Sequence, residues 1–467
     1  MKVLLLQPPS RALGFGDMIR AEPLGLEAIA GNLEGHEVQI RDLRIEGREG
    51  LLEVLEAFRP RVCGISCSWT TDQPKVQRLA SLIKERLPDC LLVVGGIHAS
   101  LCPDSFRKPV DAVVVGEGEE TFRELLQGNG DPWEIPGIFW VENPQAFRPR
   151  GFVPDLDSLP MPRRVRYPGV GYYMGFQRPL ALLETSRGCP FRCTFCAVWP
   201  FYKGTFRVKS PERVVEELAL VPDPFILFVD DNFMADPERC EEIARLIERR
   251  GIRKRYTLQA RSDSIVKHRE LLKLWKAIGL KAIFVGFEGF RDEDLRRLRK
   301  GTAVRVNDEA VEILRSLGIE LWASFIVDPS FGPEDFQGLR EYVRSRGIKQ
   351  ASFSVLTPLP GTRLFEELKE RITTCDYELF DIAHAVLQTR LPLEEFYRQF
   401  CSLYGEVYSA WKLIGEGFLA WFRGFPLQGL IRMLLSAKRL SSPSFYLKAH
   451  GLSPLQARSS PERGRAA

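Results

Sequence analysis

The chain has 467 residues, 45% of them hydrophobic, enough for two or three domains that each bury a core. Its 65 Lys and Arg against 61 Asp and Glu leave a net charge of +4, too small a surplus to argue for nucleic acid. No apolar run reaches the ~20 residues needed to span a bilayer, and MKVLLLQPPS reads as a buried strand, not a secretory leader, so the ten cysteines point to a reducing compartment and not to a disulfide framework.

In chain order, an apolar strand at Val3 to Gln7 leads to a helix at Leu24 to Leu33, a strand at Glu37 to Arg41 and a helix at Leu51 to Phe58. The alternation continues with a strand at Arg61 to Ser66, a helix at Pro74 to Arg86, strands at Cys90 to Val94 and Ala112 to Val115, and a helix at Glu119 to Leu126. Short apolar strands separated by helices predict an α/β unit over residues 1–130, a Rossmann-like parallel sheet covered on both faces. Ligands of such sheets bind outside the strands' carboxyl ends. Three loops stand there: Ser66-Cys67-Ser68-Trp69-Thr70-Thr71, Gly95-Gly96-Ile97-His98 and Gly116-Glu117-Gly118-Glu119. Glycine lets backbone approach a flat or bulky ligand, although a Gly-Gly pair equally serves a plain tight turn. No G-x-G-x-x-G follows the first strand, which argues against a dinucleotide.

Residues 131–179 are proline-rich and read as a linker of short hairpin strands and extended segments. From Leu180 the alternation resumes. Strands at Leu180 to Thr185, Ile226 to Val229, Tyr256 to Ala260, Ala282 to Gly286, Glu320 to Val327 and Gln350 to Val355 are separated by helices at Pro211 to Leu220, Pro237 to Arg249, Glu270 to Ala277, Asp308 to Leu317 and Pro333 to Ser345. Six repeats over 180–375 predict a partial (β/α)6 barrel with its chemistry at the strand carboxyl ends. Asp230-Asp231, Arg261 and Glu288 stand at such ends; the aspartates also read as a helix cap, and all of them as surface ion pairs.

The first of these strands delivers TSRGCPFRCTFCAVWP, in which Cys189, Cys193 and Cys196 supply three thiolates to an iron-sulfur cluster that normally takes four. A zinc site would want a fourth Cys or His at short spacing, and the next His is His268. The other seven cysteines lack ligand spacing, and most of them read as small buried hydrophobes.

Beyond the barrel, residues 376–454 read as a helical C-terminal region, with 376–409 helical and capping the barrel mouth. Residues 410–440 combine Trp, Phe, Leu and Ile with Lys412, Arg423, Arg432, Lys438 and Arg439 against Glu416. This pattern fits a helix lying in a membrane surface and equally a buried cap or dimer contact. Residues 455–467 read as a disordered tail.

Cys-x3-Cys-x2-Cys, with Phe195 before the last Cys, closely resembles the signature of radical S-adenosylmethionine (SAM) enzymes. With VVGGIHAS and VVVGEGEETFRELL upstream, the chain resembles the cobalamin-binding radical SAM methyltransferases over residues 1 to about 405, and RAEPLGLEAIAGNLEGHEVQIRDL with LPLEEFYRQF resembles their hopanoid C-3 methylase branch. The resemblance implies a 4Fe-4S cluster on the three cysteines, with SAM chelating the open iron and contacting Phe195, Asp231, Arg261 and Glu288. It implies cobalamin against Ser66, Ser68, Trp69, Gly95, Gly96, His98, Gly116, Glu117 and Gly118. Asp-x-His-x-x-Gly is absent from this region, so no His is expected below the cobalt, and His98 takes a structural or propionamide contact. The implied reaction is methylation of an unactivated carbon of a hopanoid or other polycyclic lipid, one SAM methylating cobalamin and another yielding the radical that removes hydrogen. The alternatives are cyclisation or rearrangement without methyl transfer, and a cobalamin sensor. Hydrogen abstraction asks for proximity and dryness more than for a general base. The implied partners are a hydrophobic small molecule and an electron donor such as ferredoxin or flavodoxin, with no nucleic acid, in a cytoplasmic protein at the inner face of the membrane.

Overall fold

Val3, Leu4, Leu5 and Leu6 are all fully buried, which happens when both faces of a strand are covered. In the computed structural model, which describes residues 1–9, 19–128, 130–168, 171–408, 415 and 427–451, this strand, β1 (Lys2–Gln7), is joined by β2 (Glu37–Asp42), β3 (Val62–Ser66), β4 (Leu91–Gly95), β5 (Ala112–Val114) and β6 (Ile138–Trp140), in the order β2-β1-β3-β4-β5-β6. The first five are parallel, with Val3 opposite both Val38 and Val62. Val3 and Leu5 pack with Leu26, Ala30 and Phe122 on one face; Leu4 and Leu6 pack with Leu55 and Ile83 on the other. The winding reverses between β1 and β3, the switch point where such sheets open a ligand crevice. Most boundaries shift by one or two residues from the sequence reading, and two differences are larger. The second helix is Leu43–Phe58, capped by Asp42 and kinked at Gly47, and β6, antiparallel to β5, comes from the segment read as linker. The segment reads as local hairpins, and three residues between prolines carry no local signal that this strand pairs instead with the edge of the first sheet.

The second unit places β7 (Leu180–Leu183), β8 (Phe225–Phe228), β9 (Arg255–Ala260), β10 (Leu280–Glu288), β11 (Glu320–Val327) and β12 (Gln350–Val355) in consecutive parallel order, a partial barrel. Outside lie helices with local start signals: Ser210 accepts from the Arg213 amide before Pro211–Leu220, and Asp236 from the Arg239 amide before Pro237–Arg249. Phe228, Phe233, Tyr256 and Trp275 pack between strands and helices, with Trp275 edge-on to the other three rings. Inside, Ile19, Ala21 and Leu24 of the first unit and Met174 of the connection pack against Leu180, Leu182, Leu227 and Trp322.

An open barrel leaves two edge strands with unpaired backbone groups. On β7 the Leu182 amide donates to Glu22 (2.6 Å), and on β12 the Tyr404 hydroxyl accepts from the Phe353 amide (3.3 Å) and donates to its carbonyl (2.6 Å). Tyr404 belongs to the helix Leu393–Val407, which therefore lies along the open edge. The expected helical cap over 376–409 is corrected accordingly: Tyr377–Leu379 is one tight turn, Asp381 accepts from the amides of Ala383 and His384, and Ile382 takes a φ of 60°. Such local side-chain bonds compete with the helix.

Of residues 410–440, 410–414 and 416–426 lie outside the described residues, as does the tail 455–467. Leu427–Leu440 is a helix exposing Leu427, Ile431, Leu434 and Leu435, with Lys438 and Arg439 in its last turn. Among the described residues no helix is long and apolar enough to cross a membrane.

Candidate active site

Glu184 and Thr185 lead the chain from β7 into a two-residue ribbon, Ser186–Arg187 antiparallel to Arg207–Val208, in which Arg187 stands opposite Arg207. The ribbon is the neck of the loop that carries the cysteines. From the barrel side, buried Asp230 accepts from the Thr185 amide (3.2 Å), the Thr185 hydroxyl (2.8 Å) and the Ser186 hydroxyl. Buried Arg239 donates to the carbonyls of Lys209 (2.7 Å) and Thr185 (2.6 Å), one on each side of the neck. Gly188 has a φ of 89°, and a Cβ there would collide with the Thr205 carbonyl oxygen.

Cys189, Cys193 and Cys196 are free and partly exposed. Burial pushes each thiol up, Cys196 to about 12. Cys193 and Asp231 raise the Cys189 thiol while Arg261 lowers it, and Lys300 and Arg261 favour the Cys193 thiolate while Glu288 opposes it. The sequence-predicted Asp231, Arg261 and Glu288 are thus gathered around the cysteine loop. Among the described residues no trio of His, Cys, Asp and Glu converges on one ion. A cubane asks for something else, since each thiolate takes its own iron corner. Three thiols on one loop pinned at its neck fit a cluster that is held at three corners and keeps the fourth open. Phe195 packs with Leu298, Leu356 and Leu364, while the Thr194 amide donates to the Leu298 carbonyl (3.1 Å) and the Leu364 amide to the Thr194 carbonyl (2.9 Å).

Neither Asp230 nor Asp231 caps the following helix, a role taken by Asp236. Asp231 receives the Gly188 amide, and its carboxyl is pushed up to about 7 by burial and then by Asp230. The residue is nonetheless accessible. Access from one side and crowding on the others describe a recess, and the crowding governs the proton. Arg261, past β9, lies 3.6 Å over the Phe191 ring and donates to Asp263 (3.0 Å) and the Lys300 carbonyl (2.7 Å). Its guanidinium is committed to the cysteine loop's support. Glu288 ends β10 with a φ of 64° and takes Lys300 Nζ at 2.9 Å, a buried pair and not a surface one. Its carboxylate crosses over Gly286, where a Cβ would collide with it. A left-handed non-glycine residue costs about 1–3 kcal/mol and persists where the surroundings enforce it.

On the first sheet, Trp69 is 57% exposed beside the switch point, with Ser66 and Ser68 hydroxyls 3.5 Å apart. Gly96, at a φ of 121°, presses on the Cys67 carbonyl, where a Cβ would meet oxygen at 2.7 Å. Gly95 has a Cβ position 3.7 Å from Val114, Gly116, at a φ of 92°, faces open space, and Gly118 starts the helix Gly118–Gln127. Exposed aromatic surface and glycine backbone along one edge fit a broad, flat ligand such as a corrin. Two predicted contacts turn away from that edge. His98 is buried, with Nδ1 3.2 Å from the Thr70 hydroxyl, Nε2 unpartnered, and Phe106 and Tyr377 edge-on to its ring; burial lowers it to about 4, a neutral imidazole. Glu117 accepts from Arg187 (2.9 Å), Arg207 (2.7 and 3.0 Å) and the Val153 amide (2.7 Å). Burial opposes its ionisation, yet Arg207 and Arg187 hold the carboxyl below its usual range.

The two sets of strand ends face each other. Helix Ile97–Leu101 lies beside Val198–Tyr202, Leu101 abuts Gly361, and the turn Thr70–Asp72 meets Tyr377–Leu379. Arg187, Arg207, Arg239 and Lys300 escape the sequence reading. Arg187 sits two residues before Cys189 and was within reach of it, whereas Lys300 in RRLRKGT reads as a solvated basic face.

The B12 binding domain family matches residues 20–126 and the Radical SAM superfamily residues 183–343. The hopanoid C-3 methylase of Methylococcus capsulatus is 39% identical over 412 residues, covering 85% of this chain and 78% of that protein. The chain belongs to the cobalamin-binding radical SAM methyltransferases, enzymes that use a 4Fe-4S cluster, SAM and cobalamin. Among solved structures, the methyltransferase TsrM from Kitasatospora setae with cobalamin and [4Fe-4S] cluster bound superposes with a TM-score of 0.66 at 22% identity, covering 83% of this chain and 82% of that one. The cobalamin-dependent SAM radical enzyme OxsB with aqua-cobalamin and SAM bound gives 0.67 at 18%, covering 97% and 75%. Both share the fold.

Proposed function

We propose that this enzyme methylates an unactivated carbon of a hydrophobic polycyclic lipid, a hopanoid or a relative of one, between the two facing sets of strand ends. The observation that carries the reading is that the exposed edge at Trp69 and Gly116 and the cysteine loop open toward one another from two interlocked units. When bound, the cluster with SAM supplies hydrogen-atom abstraction and cobalamin supplies the methyl group. Cys189, Cys193 and Cys196 hold the cluster and Phe195 packs beneath their loop. Asp231 and Glu288 bind SAM, and Arg261 acts behind them through Phe191. Ser66, Ser68, Trp69, Gly95, Gly96, Gly116 and Gly118 receive cobalamin, with His98 behind the loops and off the cobalt. Residues 1–130 with β6 form the cobalamin unit and 180–375 the barrel, along whose open edge the helix Leu393–Val407 lies.

The lipid class draws support from the relative at 39% identity and from the exposed Leu427, Ile431, Leu434 and Leu435, which with Lys438 and Arg439 suit an anionic membrane at its cytoplasmic face. An acidic electron donor of the ferredoxin or flavodoxin kind suits the exposed Arg296 and Arg299, which flank the Leu298 carbonyl bonded to Thr194. The test is turnover of lipid extract with methyl-deuterated SAM under anaerobic reduction. A labelled methyl on a polycyclic lipid is expected; label only on a soluble metabolite, or a rearranged lipid without label, refutes the reading.

A further inference from the structure

The cysteine loop is held from both sides of its neck, and the two grips differ in origin. Asp230 and Arg239 belong to the barrel. The opposing grip belongs to the first unit: Glu117 takes Arg187 at one foot of the loop and Arg207 at the other, while Glu119 takes Arg187 again at 2.6 Å. Glu184 adds a third carboxylate to Arg187, at 3.0 Å. All of this is enclosed, the side chains of Glu117, Arg187 and Arg207 being 5%, 7% and 12% exposed. A forked guanidinium fixes direction as well as distance, so one carboxylate sets where both feet stand.

Glu117 also lies within a ligand loop, between Gly116, whose left-handed backbone faces open space, and Gly118, which starts a helix. Ordering this loop around a ligand and ordering the cysteine loop around a cluster therefore both require Glu117 in one position. Resting on the cobalamin site assigned above, we propose that Glu117 is a positioning residue that couples the two cofactor sites, so that filling either one tightens the other. Whichever group binds first bears the ordering cost, and the second binds to a neck already set. The coupling is reciprocal by thermodynamic necessity.

The experiment compares the affinity of the full-length chain for hydroxocobalamin, by anaerobic equilibrium dialysis, with the cluster reconstituted and in a cluster-free chain carrying Cys189→Ala, Cys193→Ala and Cys196→Ala. The loaded chain is expected to bind about tenfold more tightly. In Glu117→Gln, built into both chains, that ratio is expected to fall to about one while iron content and hydroxocobalamin binding persist, because an amide cannot replace a carboxylate shared by two guanidiniums. A ratio near one in the wild-type pair overturns the proposal without any variant at position 117, so a folding defect in Glu117→Gln does not protect it. An undiminished ratio in Glu117→Gln overturns it as well. No hydroxocobalamin binding to either wild-type form would sink the assigned cobalamin site and the coupling with it, whereas tight but equal binding sinks the coupling alone.

Discussion

His98 offers a quantitative check on the arrangement of the first unit. It is buried against Phe106 and Tyr377, and burial lowers its pKa from 6.5 to about 4. A folded-state pKa below the unfolded one means that the unfolded chain takes up the proton first. The stabilising effect of the neutral ring is therefore complete above the unfolded value and is lost as the pH falls from 6.5 toward 4. At 1.36 kcal/mol per unit, moving from about pH 7.5 to about pH 5 should remove about 2 kcal/mol through this residue alone. His98→Gln keeps a partner for the Thr70 hydroxyl and cannot titrate. Urea unfolding of the cofactor-free chain, followed by tryptophan fluorescence, should show wild type losing about 2 kcal/mol more than the variant between those two pH values, whatever the variant's absolute stability. An equal acid loss in both proteins refutes a neutral, enclosed His98. The same variant should bind cobalamin with an unaltered visible spectrum, since Nδ1 is taken by Thr70 and Nε2 is enclosed; a shifted spectrum would make His98 a cobalt ligand.

Replacing Cys189, Cys193 or Cys196 singly with Ala should abolish cluster absorbance and SAM cleavage, because three thiolates are the fewest that leave one iron open and hold the rest; full cleavage in any single variant removes the assignment. Glu288→Gln should weaken SAM binding by about 10- to 100-fold, the worth of charge-assisted hydrogen bonds, with iron content unchanged. Unaltered SAM affinity by calorimetry would confine Glu288 to its pair with Lys300. The intact protein should sediment with anionic liposomes and be released by salt, each basic residue near the surface adding about 1 kcal/mol, and truncation at about residue 408 should leave it in the supernatant. Intact protein that stays in the supernatant at low salt refutes the membrane reading.

Most of the strand and helix pattern was legible because its signals are local. Pro211, Pro237 and Pro333 each open a helix at the residue the sequence indicates, and β11 and β12 fall on the residues read for them. The cysteine loop and the ligand loops were legible for the same reason. What escaped is set by distant partners. Nothing near Glu117 announces guanidiniums 70 and 90 residues away, so a carboxylate between two glycines reads as a ligand contact. The stretch 376–391 has helical composition, but Asp381 bonds to its own neighbours and the Val355 amide draws in the Ile382 carbonyl. Hydrogen bonds to β12 decide its shape there.

Ile19, Ala21, Leu24 and Glu22 carry a consequence for how the protein is made. All four precede the first unit's second strand, yet they fill the barrel's hollow and cap the Leu182 amide. A barrel produced from residue 180 onward would be a bowl without a base: Leu182 and Trp322 would meet water, and its outermost strand would offer a bare amide to any passing chain. During synthesis the base emerges first and waits for walls that are completed more than 300 residues later, at β12. The two halves, so easily told apart by family, mature as one piece, and exchanging one of them for a relative's would have to carry residues 19–24 along with the bowl they close.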